Sequence, residues 1–357
     1  MKYLLYLLAL LLPGIGICAT ECHLAEGGKG GSMTINGGNT GSPLNFYSVY
    51  GDTSSTVHEL DYFNPSLDHE LWSYCDGGGN GDDFYMYTNN GADVIETDGR
   101  ALFPTNVEGI YYAVKMFSTA GAGGYFPGTM GSWINVDPSE TSDWKSQQVK
   151  ATITLYQMSS FPGNVNNVTY LTPKDSRTLG QIRVGTADSD DNNPWSIKVT
   201  TDSFSVPISA ATCSSVSGND GTNNVDFGDV MYSSLREYYW QTKSLTLKLT
   251  GCTNTVWFRF KLASSKYVVD SQNDMLLTNT LTGSDAASGV GVSLEAGFPI
   301  QGTKSVFSPG LEIWTPTTTV STARTYNYGF TATMKLSGET LKPGKFKAIG
   351  TFTIDYF

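Results

Sequence analysis

The chain carries little charge and no clustered basic charge. Of its 357 residues, 15% are charged, and 22 lysine and arginine residues stand against 33 aspartate and glutamate residues, so the formal net charge is −11. Phosphate backbones are bound by clustered Lys and Arg side chains, so nucleic acid is excluded as a partner class. After the first 13 residues, no run is apolar and long enough to cross a bilayer as a helix.

Catalytic and metal-binding motifs are also lacking. There is no Gly-x-Ser-x-Gly elbow and no phosphate-binding glycine loop before a lysine. Residues 58–64 and 68–72 group two of the three histidines with carboxylates, but without the His-Glu-x-x-His spacing, so we expect a solvated loop there and not a zinc site. Residues 188–193 lack the Gly and distal Glu of a calcium loop, and a hairpin turn is expected. We expect neither an enzyme nor a cofactor; the open alternative is a glycosidase with two carboxylates on distant strands.

The remaining composition is typical of an all-β protein. Helical periodicity is scarce, and the best helical candidate covers only residues 232–240. The Gly-rich stretch 27–41 is expected to be a loop. Short alternating runs separated by turn residues predict strands at residues 83–87, 109–117, 149–156 and 181–184. Many short strands with turn signals between them favour β-sandwiches or β-barrels.

The N-terminus has the pattern of a secretory signal peptide over residues 1–19. It begins with a basic residue, continues as an apolar run and ends in small residues near Ala19. Cys18 leaves a lipoprotein anchor as the alternative, but the residues before it do not fit that pattern. We therefore expect export, and the mature chain should begin close to residue 20.

Cysteine usage indicates an oxidising compartment. Removing the leader leaves four cysteines: Cys22, Cys75, Cys213 and Cys252. Four cysteines allow three pairings, and Cys22 with Cys75 and Cys213 with Cys252 is the most economical because two fall in each half of the chain. Disulfides form in exported proteins. The length predicts two domains, residues 20–200 and 203–357, with a boundary near residues 200–203.

The last residues alternate apolar and polar positions up to the C-terminus. One face carries the apolar set Phe346, Ala348, Gly350, Phe352, Ile354 and Tyr356. The other face carries Lys347, Thr351, Thr353 and Asp355, which is the period-2 pattern of a half-buried strand. Such a strand must be paired or covered on both edges, because open backbone groups invite another chain. We therefore expect a docking surface and an assembling protein.

The C-terminal half resembles the pilin domain of chaperone-usher fimbriae. The resemblance rests on Cys213, the stretches 225–230, 245–252 and 289–294, and the terminal strand with Tyr356 next to last. It implies an immunoglobulin-like sandwich that lacks its last strand. The gap is filled first by a periplasmic chaperone and then by the N-terminal extension of an adjacent fimbrial subunit, which is strand addition. The resemblance places the docking residues at Phe352, Ile354, Tyr356 and Phe357, with the Phe357 carboxylate as an anchor for the chaperone.

The same resemblance implies a role for the first half. Where a pilin has a short donor extension, this chain has about 180 residues with their own cysteine pair. Such a subunit accepts a strand but cannot donate one, so it stands at the fimbrial tip. Two-domain tip subunits of this family are adhesins whose first domain is usually a lectin, and they pass an outer-membrane usher on the way to the cell surface. The implied fold is two immunoglobulin-like β-sandwiches in tandem.

Candidate carbohydrate-binding residues follow from the side chains that sugars need. Sugar hydroxyls are bound by planar polar groups, and the apolar side of the ring packs on an aromatic face. The stretch 131–148, expected to be a loop, supplies both kinds, with weaker candidates in a neighbouring loop. The predicted residues are Trp133, Asn135, Asp143, Trp144, Ser146, Gln147, Ser118 and Thr119. The alternative is that the two tryptophans plug the end of the sandwich core.

Resemblance of the first half to known lectins is limited to short stretches. Cys22 near the mature N-terminus and Cys75 after residues 71–74 resemble the mannose-binding tip adhesin of type 1 fimbriae. Residues 109–124 and 133–148 resemble N-acetylglucosamine-binding fimbrial lectins, but residues 117–121 lack the acidic residue found there. The sequence thus predicts a fimbrial tip adhesin that binds host-surface glycans; the alternative is a structural tip or capping subunit, or a protein-binding adhesin.

Overall fold

The computed structural model describes residues 22–48, 57–76, 82–91, 93–137, 144–185, 192–218, 221–235, 241–302, 304–317 and 322–357. Within these ranges the chain is built of strands, with short 3-10 turns at Glu26–Gly28 and Tyr232–Leu235. The all-β prediction is confirmed. Among the described residues, no helix has the length and apolar character that crossing a membrane requires. The signal-peptide prediction for residues 1–19, Asp143 and most of the stretch 188–193 lie outside the described residues.

Sixteen strands lie in the described part of the first domain. They are β1 (Cys22–Leu24), β2 (Gly31–Asn36), β3 (Val57–Phe63), β4 (Ser66–Leu67), β5 (Ser73–Cys75), β6 (Phe84–Thr88), β7 (Ile95–Thr97), β8 (Arg100–Pro104), β9 (Ile110–Ser118), β10 (Gly123–Tyr125), β11 (Trp133–Asp137), β12 (Val149–Met158), β13 (Tyr170–Leu171), β14 (Arg177–Val184), β15 (Trp195–Val199) and β16 (Val206–Pro207).

Two six-stranded sheets face each other in this domain. Sheet A has the order β3-β12-β9-β8-β7, with β10 also paired to β9, and sheet B has the order β11-β6-β14-β15-β2-β4. All described pairings are antiparallel except that of β15 with β2, which is parallel. Alternate residues of the central strands point inward, as in β6, where Phe84 and Met86 are fully buried and Tyr85 is not. The inward side chains form one core between the sheets.

The second domain, as far as its residues are described, has nine strands. They are β17 (Ser215–Gly218), β18 (Gln241–Cys252), β19 (Trp257–Ala263), β20 (Tyr267–Val269), β21 (Met275–Thr278), β22 (Val290–Ala296), β23 (Glu312–Pro316), β24 (Arg324–Leu336) and β25 (Thr351–Tyr356). Sheet C has the order β17-β18-β24-β22-β21-β20, and sheet D has the order β23-β19-β25. The core between them is aromatic, with Phe260 within 5.0–5.7 Å of Tyr328 and Phe330.

Both predicted disulfides are present. Cys22 pairs with Cys75 and joins β1 to β5, and Cys213 pairs with Cys252 and joins the start of the second domain to β18. The pairings close loops with sequence separations of 53 and 39 residues. Each bridge therefore stays within its own domain and restricts the unfolded chain of that domain.

The segment between the domains is built into the first core. Phe204 and Val206 are buried, and the Phe204 ring lies 5.2 Å from that of Tyr112. The backbone of β16 pairs with β13, and the Ser203 hydroxyl donates to the Ile35 carbonyl at 2.5 Å. The second domain begins where Thr212 pairs with Thr253. Residues just after the boundary expected at 200–203 are thus packed into the core of the first domain.

Several local predictions were wrong, and pairing explains each of them. The Gly-rich stretch 27–41 and the histidine stretch 58–64 were expected to be loops, but they contain β2 and β3, which pair with β15 and β12. In the stretch 131–148, residues Trp133–Asp137 form β11 on the edge of sheet B. The terminal strand begins at Thr351, while residues 346–350 have no strand assignment. Propensity cannot anticipate pairing partners that lie about 50 to 160 residues away along the chain.

Candidate functional site

The residues predicted to bind carbohydrate fall in two separate places. Trp133 and Asn135 lie on β11, at the edge of sheet B. The other described residues lie where β9 ends and β12 begins: Ser118, Thr119, Trp144, Ser146 and Gln147. The stretch 131–148 therefore does not act as one loop, because its first part is a strand.

On β11, less of the Trp133 ring is available to a ligand than the sequence predicts. The Arg183 guanidinium carbon lies 4.3 Å from the centroid of the Trp133 ring, and the Tyr87 ring lies 5.7 Å away. Arg183 thus covers one face of the indole in a cation–π contact. The Asn135 carboxamide oxygen accepts the Asp137 N–H at 3.1 Å and serves the irregular register of β11. Stacking a sugar on Trp133 would compete with Arg183.

Trp144 and Ser118 are buried, which contradicts the prediction that their side chains contact a ligand. Both are 0% exposed, and the Trp144 ring stacks on Phe84 at 4.5 Å with an interplanar angle of 23°. Reaching either side chain from solvent requires opening the core. For Trp144, this burial favours the alternative in which the ring belongs to the sandwich core.

Thr119 and Gln147 form an exposed polar pair. The Thr119 hydroxyl donates to Oε1 of Gln147 at 2.6 Å and accepts the Gln148 N–H at 3.2 Å. Nε2 of Gln147 donates to the Lys145 carbonyl at 3.1 Å. Ser146 is exposed beside them in a turn, with φ of +54°. Three of the predicted residues are thus brought together at one end of sheet A.

Two aromatic side chains, which the sequence prediction did not include, lie beside this pair. Trp72 and Tyr74 are each 41% exposed, whereas Ser73 between them is buried. Trp72 pairs with Gln148, and the Ser73 N–H donates to the Gln147 carbonyl at 2.9 Å. The Ser73 hydroxyl donates to the Trp144 carbonyl. We call the five residues Trp72, Tyr74, Thr119, Ser146 and Gln147 the distal patch.

The distal patch lies at the end of the first domain opposite the second domain. β9 runs from Ile110 to Ser118, and eight steps of about 3.4 Å give a length of about 27 Å. At the Ile110 end, Gly109 packs closely on Phe161, and Gly163 contacts Phe357 of the second domain. The patch combines aromatic faces with amide and hydroxyl groups, which is the chemistry that a shallow sugar site needs.

The terminal strand β25 is paired on one edge only among the described strands. Phe357 and Trp257 exchange two backbone hydrogen bonds, at 3.0 and 3.2 Å. Hydrogen-bonded and non-bonded pairs alternate along an antiparallel ladder. In the register of β25 with β19, the backbone N–H and C=O groups of Phe352, Ile354 and Tyr356 therefore point to the other edge.

The side chains of the same three residues point toward an incompletely covered core. Phe352, Ile354 and Tyr356 are only partly buried where they pack on the second core, and the Phe352 ring lies 5.0 Å from that of Phe330. On the other side of sheet D, Arg259 pairs with Asp355 at 2.7 Å. Three of the four predicted docking residues thus present both backbone groups and apolar side chains at an open edge.

Phe357, the fourth predicted docking residue, is placed differently. It is 4% exposed, and its side chain belongs to the apolar cluster of the first domain. Its carbonyl oxygen accepts the N–H groups of Val256 and Trp257 at 2.6 and 3.2 Å. The prediction that this residue forms part of the docking surface is contradicted, because both its ring and this oxygen already have partners within the chain.

An ion cluster formed by Arg177, Asp93 and Asp175 lies beside a cleft of about 350 Å³ in the first domain. Arg177 donates to both carboxylate oxygens of Asp93 at 3.0 and 2.8 Å and to those of Asp175 at 2.6 and 2.7 Å. The hydrogen bonds from Arg177 lower the pKa of Asp93 to about 2. The charges satisfy one another, so the cluster stabilises the loop before β14. Among the described residues, no group of His, Cys, Asp and Glu is arranged to hold a metal ion.

A comparison with protein-family models finds a match in the C-terminal half of the chain. The model of the family described as fimbrial protein matches residues 202–357. Proteins of this family are structural or adhesive and not enzymes. No curated protein matches the chain significantly.

Solved structures similar to this chain include fimbrial adhesins at low sequence identity. The CupB6 tip adhesin from Pseudomonas aeruginosa is 15% identical with a TM-score of 0.48, over 93% of this chain and 94% of that one. CfaE, the adhesive subunit of CFA/I fimbria of enterotoxigenic Escherichia coli, is 10% identical with a TM-score of 0.25, over 92% and 97%. The Proteus mirabilis ambient temperature fimbriae adhesin AtfE is 10% identical with a TM-score of 0.25, over 51% and 99%. The match to the fimbrial protein family model covers residues 202–357, which is the part of the chain that resembles a pilin domain in its sequence.

Proposed function

We propose that the chain is the tip adhesin of a chaperone-usher fimbria. The observation that carries this proposal is an asymmetry in the second domain. Its strand β25 has an open edge, while the segment that precedes the domain is packed into the first core through Phe204 and Val206. The domain can accept a strand, but the segment that would donate one is occupied. A subunit with these properties ends a fimbria.

Assembly would then follow strand addition at β25. A partner strand laid on the open edge bonds to the backbone groups of Phe352, Ile354 and Tyr356 and covers their partly buried side chains. The partners are a periplasmic chaperone during export, the outer-membrane usher at the surface and the N-terminal extension of the adjacent subunit. The place of action is the extracellular end of the fimbria.

The two faces of β25 provide a matched test of this step. Ile354 is partly buried toward the core, whereas Thr353 is exposed on the opposite face. Ile354→Asp should lower the recovery of a complex with the co-expressed chaperone at least tenfold, because it places a charge under the added strand. Thr353→Asp should leave recovery unchanged. Equal recovery of the two variants would contradict strand addition at this edge.

In the first domain we propose that the distal patch binds a host-surface glycan. Trp72 and Tyr74 supply exposed aromatic faces, and Thr119, Ser146 and Gln147 supply polar groups beside them. The patch lies about 27 Å from the end that meets the second domain, so it would face the host cell. Single contacts of this kind are weak, and many fimbriae on one cell supply the useful strength.

A glycan array on the full mature chain tests the adhesive function. The array should show binding that Trp72→Ala lowers at least tenfold while Tyr62→Ala, a change of an aromatic residue with 62% exposure on another surface, leaves it unchanged. If Trp133→Ala abolishes glycan binding and Trp72→Ala does not, the carbohydrate-binding site lies on β11 and not at the distal patch. An array without any signal would favour the alternative, an adhesin or capping subunit that contacts protein.

A further inference from the structure

The last residue of the chain lies at the contact between the two domains. Phe357 follows directly on β25, yet its side chain packs in the cluster that forms the core of the first domain. Val256 and Trp257, at the start of β19, lie in the same cluster. The contact with the first domain therefore includes the ends of two neighbouring strands of sheet D, β19 and β25.

The second domain holds Phe357 firmly from its own side. Two backbone N–H groups, those of Val256 and Trp257, donate to its carbonyl oxygen, and its own N–H donates to the Trp257 carbonyl at 3.0 Å. Its ring stacks on Trp314 at 5.5 Å with an interplanar angle of 16°. The Arg259 guanidinium lies 5.1 Å from the centroids of both rings. These contacts fix where the ring points.

The first domain meets Phe357 at a glycine. Gly163 has φ of +91°, and a Cβ atom built on it would lie 3.1 Å from Cβ of Phe357 and 3.1 Å from Cδ1 of Trp257. Any side chain at this position would press against the terminal residue and against β19. The two domains can thus approach closely at this point because residue 163 is a glycine, which has no side chain.

We propose that Phe357 locks the first domain to the docking strand, so that order in β25 and contact between the domains form one cooperative unit. Loss of the contact releases the end of β25, and fraying of β25 withdraws Phe357 from the first domain. A strand added along the open edge of β25 would then also tighten the interdomain contact, because coupling acts equally in both directions. That last consequence rests on the proposed function; the lock itself does not.

Hydrogen–deuterium exchange on the full mature chain tests the lock with a matched pair of variants. Gly163→Val forces a side chain into the contact, and Gly121→Val introduces the same strain at φ of +95° where nothing lies within 4 Å. In Gly163→Val, peptides covering residues 252–259 and 351–357 should exchange at least tenfold faster than in the wild type. In Gly121→Val both peptides should exchange as in the wild type. Equal exchange in the two variants would overturn the proposal.

A reciprocal variant keeps the test decisive if Gly163→Val fails to fold. Phe357→Ala lies in the second domain, yet it should speed exchange at least tenfold in a peptide covering residues 157–163 of the first. Unchanged exchange in that peptide would also refute the lock. Neither exchange measurement needs a bound partner strand. Failure of the chaperone to bind would therefore contradict the proposed function, but it would not affect the test of the Phe357 lock.

Discussion

Replacing Trp144 by alanine distinguishes a core residue from a ligand-binding one. Trp144 is the largest of the fully buried side chains, and its ring stacks on Phe84 at 4.5 Å. A buried Trp removes roughly 200 Å² of apolar surface from water, worth about 5 kcal/mol at about 25 cal/mol/Å². Core Trp→Ala changes cost about 3–5 kcal/mol because the site relaxes only in part.

The expected result is a large loss of stability in the first domain. For a domain of about 150–250 residues, each kcal/mol lowers Tm by about 2–4 °C, so Trp144→Ala should lower Tm by roughly 6–20 °C. Trp72→Ala, at a side chain 41% exposed, should change Tm by no more than about 2 °C. Near-ultraviolet circular dichroism during heating, together with glycan binding of both variants, provides the measurement. A Trp144→Ala variant that melts like the wild type but no longer binds glycan would refute this reasoning.

Two further predictions concern charge and covalent links. Because Arg177 lowers the pKa of Asp93 from 3.8 to about 2, the stability from this pair is fully present above about pH 4 and is lost as the pH falls through about 2. Asp93→Asn should therefore cost about 1 kcal/mol at pH 7, after allowance for the exposure of the carboxylate, and only a small part of that near pH 2, where the carboxyl group of the folded chain is half protonated, as measured by urea unfolding. Replacing both Cys22 and Cys75 by alanine should cost about 4 kcal/mol through the opened loop. A reductant also opens the Cys213–Cys252 bridge in both proteins, so it should lower the Tm of the first domain in the wild type but not in the double variant.

The fold class was readable from the sequence because period-2 patterns and turn residues are local signals. Each predicted strand overlaps an observed one: 83–87 overlaps β6, 109–117 overlaps β9, 149–156 overlaps β12 and 181–184 overlaps β14. The presence of two cysteines in each half of the chain was enough to choose the right pairing. Pairing over long distances was not readable: β2 joins β15 in parallel across about 160 residues, and a Gly-rich segment gives no hint of it.

The candidate site was only half readable for the same reason. Composition identified Thr119, Ser146 and Gln147, but could not show that Trp72 pairs with Gln148 and so lies beside them. Burial separated Trp144 from Trp72, although both are tryptophans in polar surroundings in the sequence. The signal that was overlooked is the alternation at residues 72–74, which places two aromatic side chains outward and Ser73 inward.

The most direct test of the account is amide exchange at the open edge of β25. In the free mature chain the N–H groups of Phe352, Ile354 and Tyr356 should exchange quickly, because among the described residues no strand pairs with that edge. In the complex with the periplasmic chaperone the same three amides should be protected at least tenfold, while those of Thr353 and Asp355 should be protected in both states. Protection of all five amides in a free, monomeric chain would mean that the sandwich completes itself, and would contradict the account.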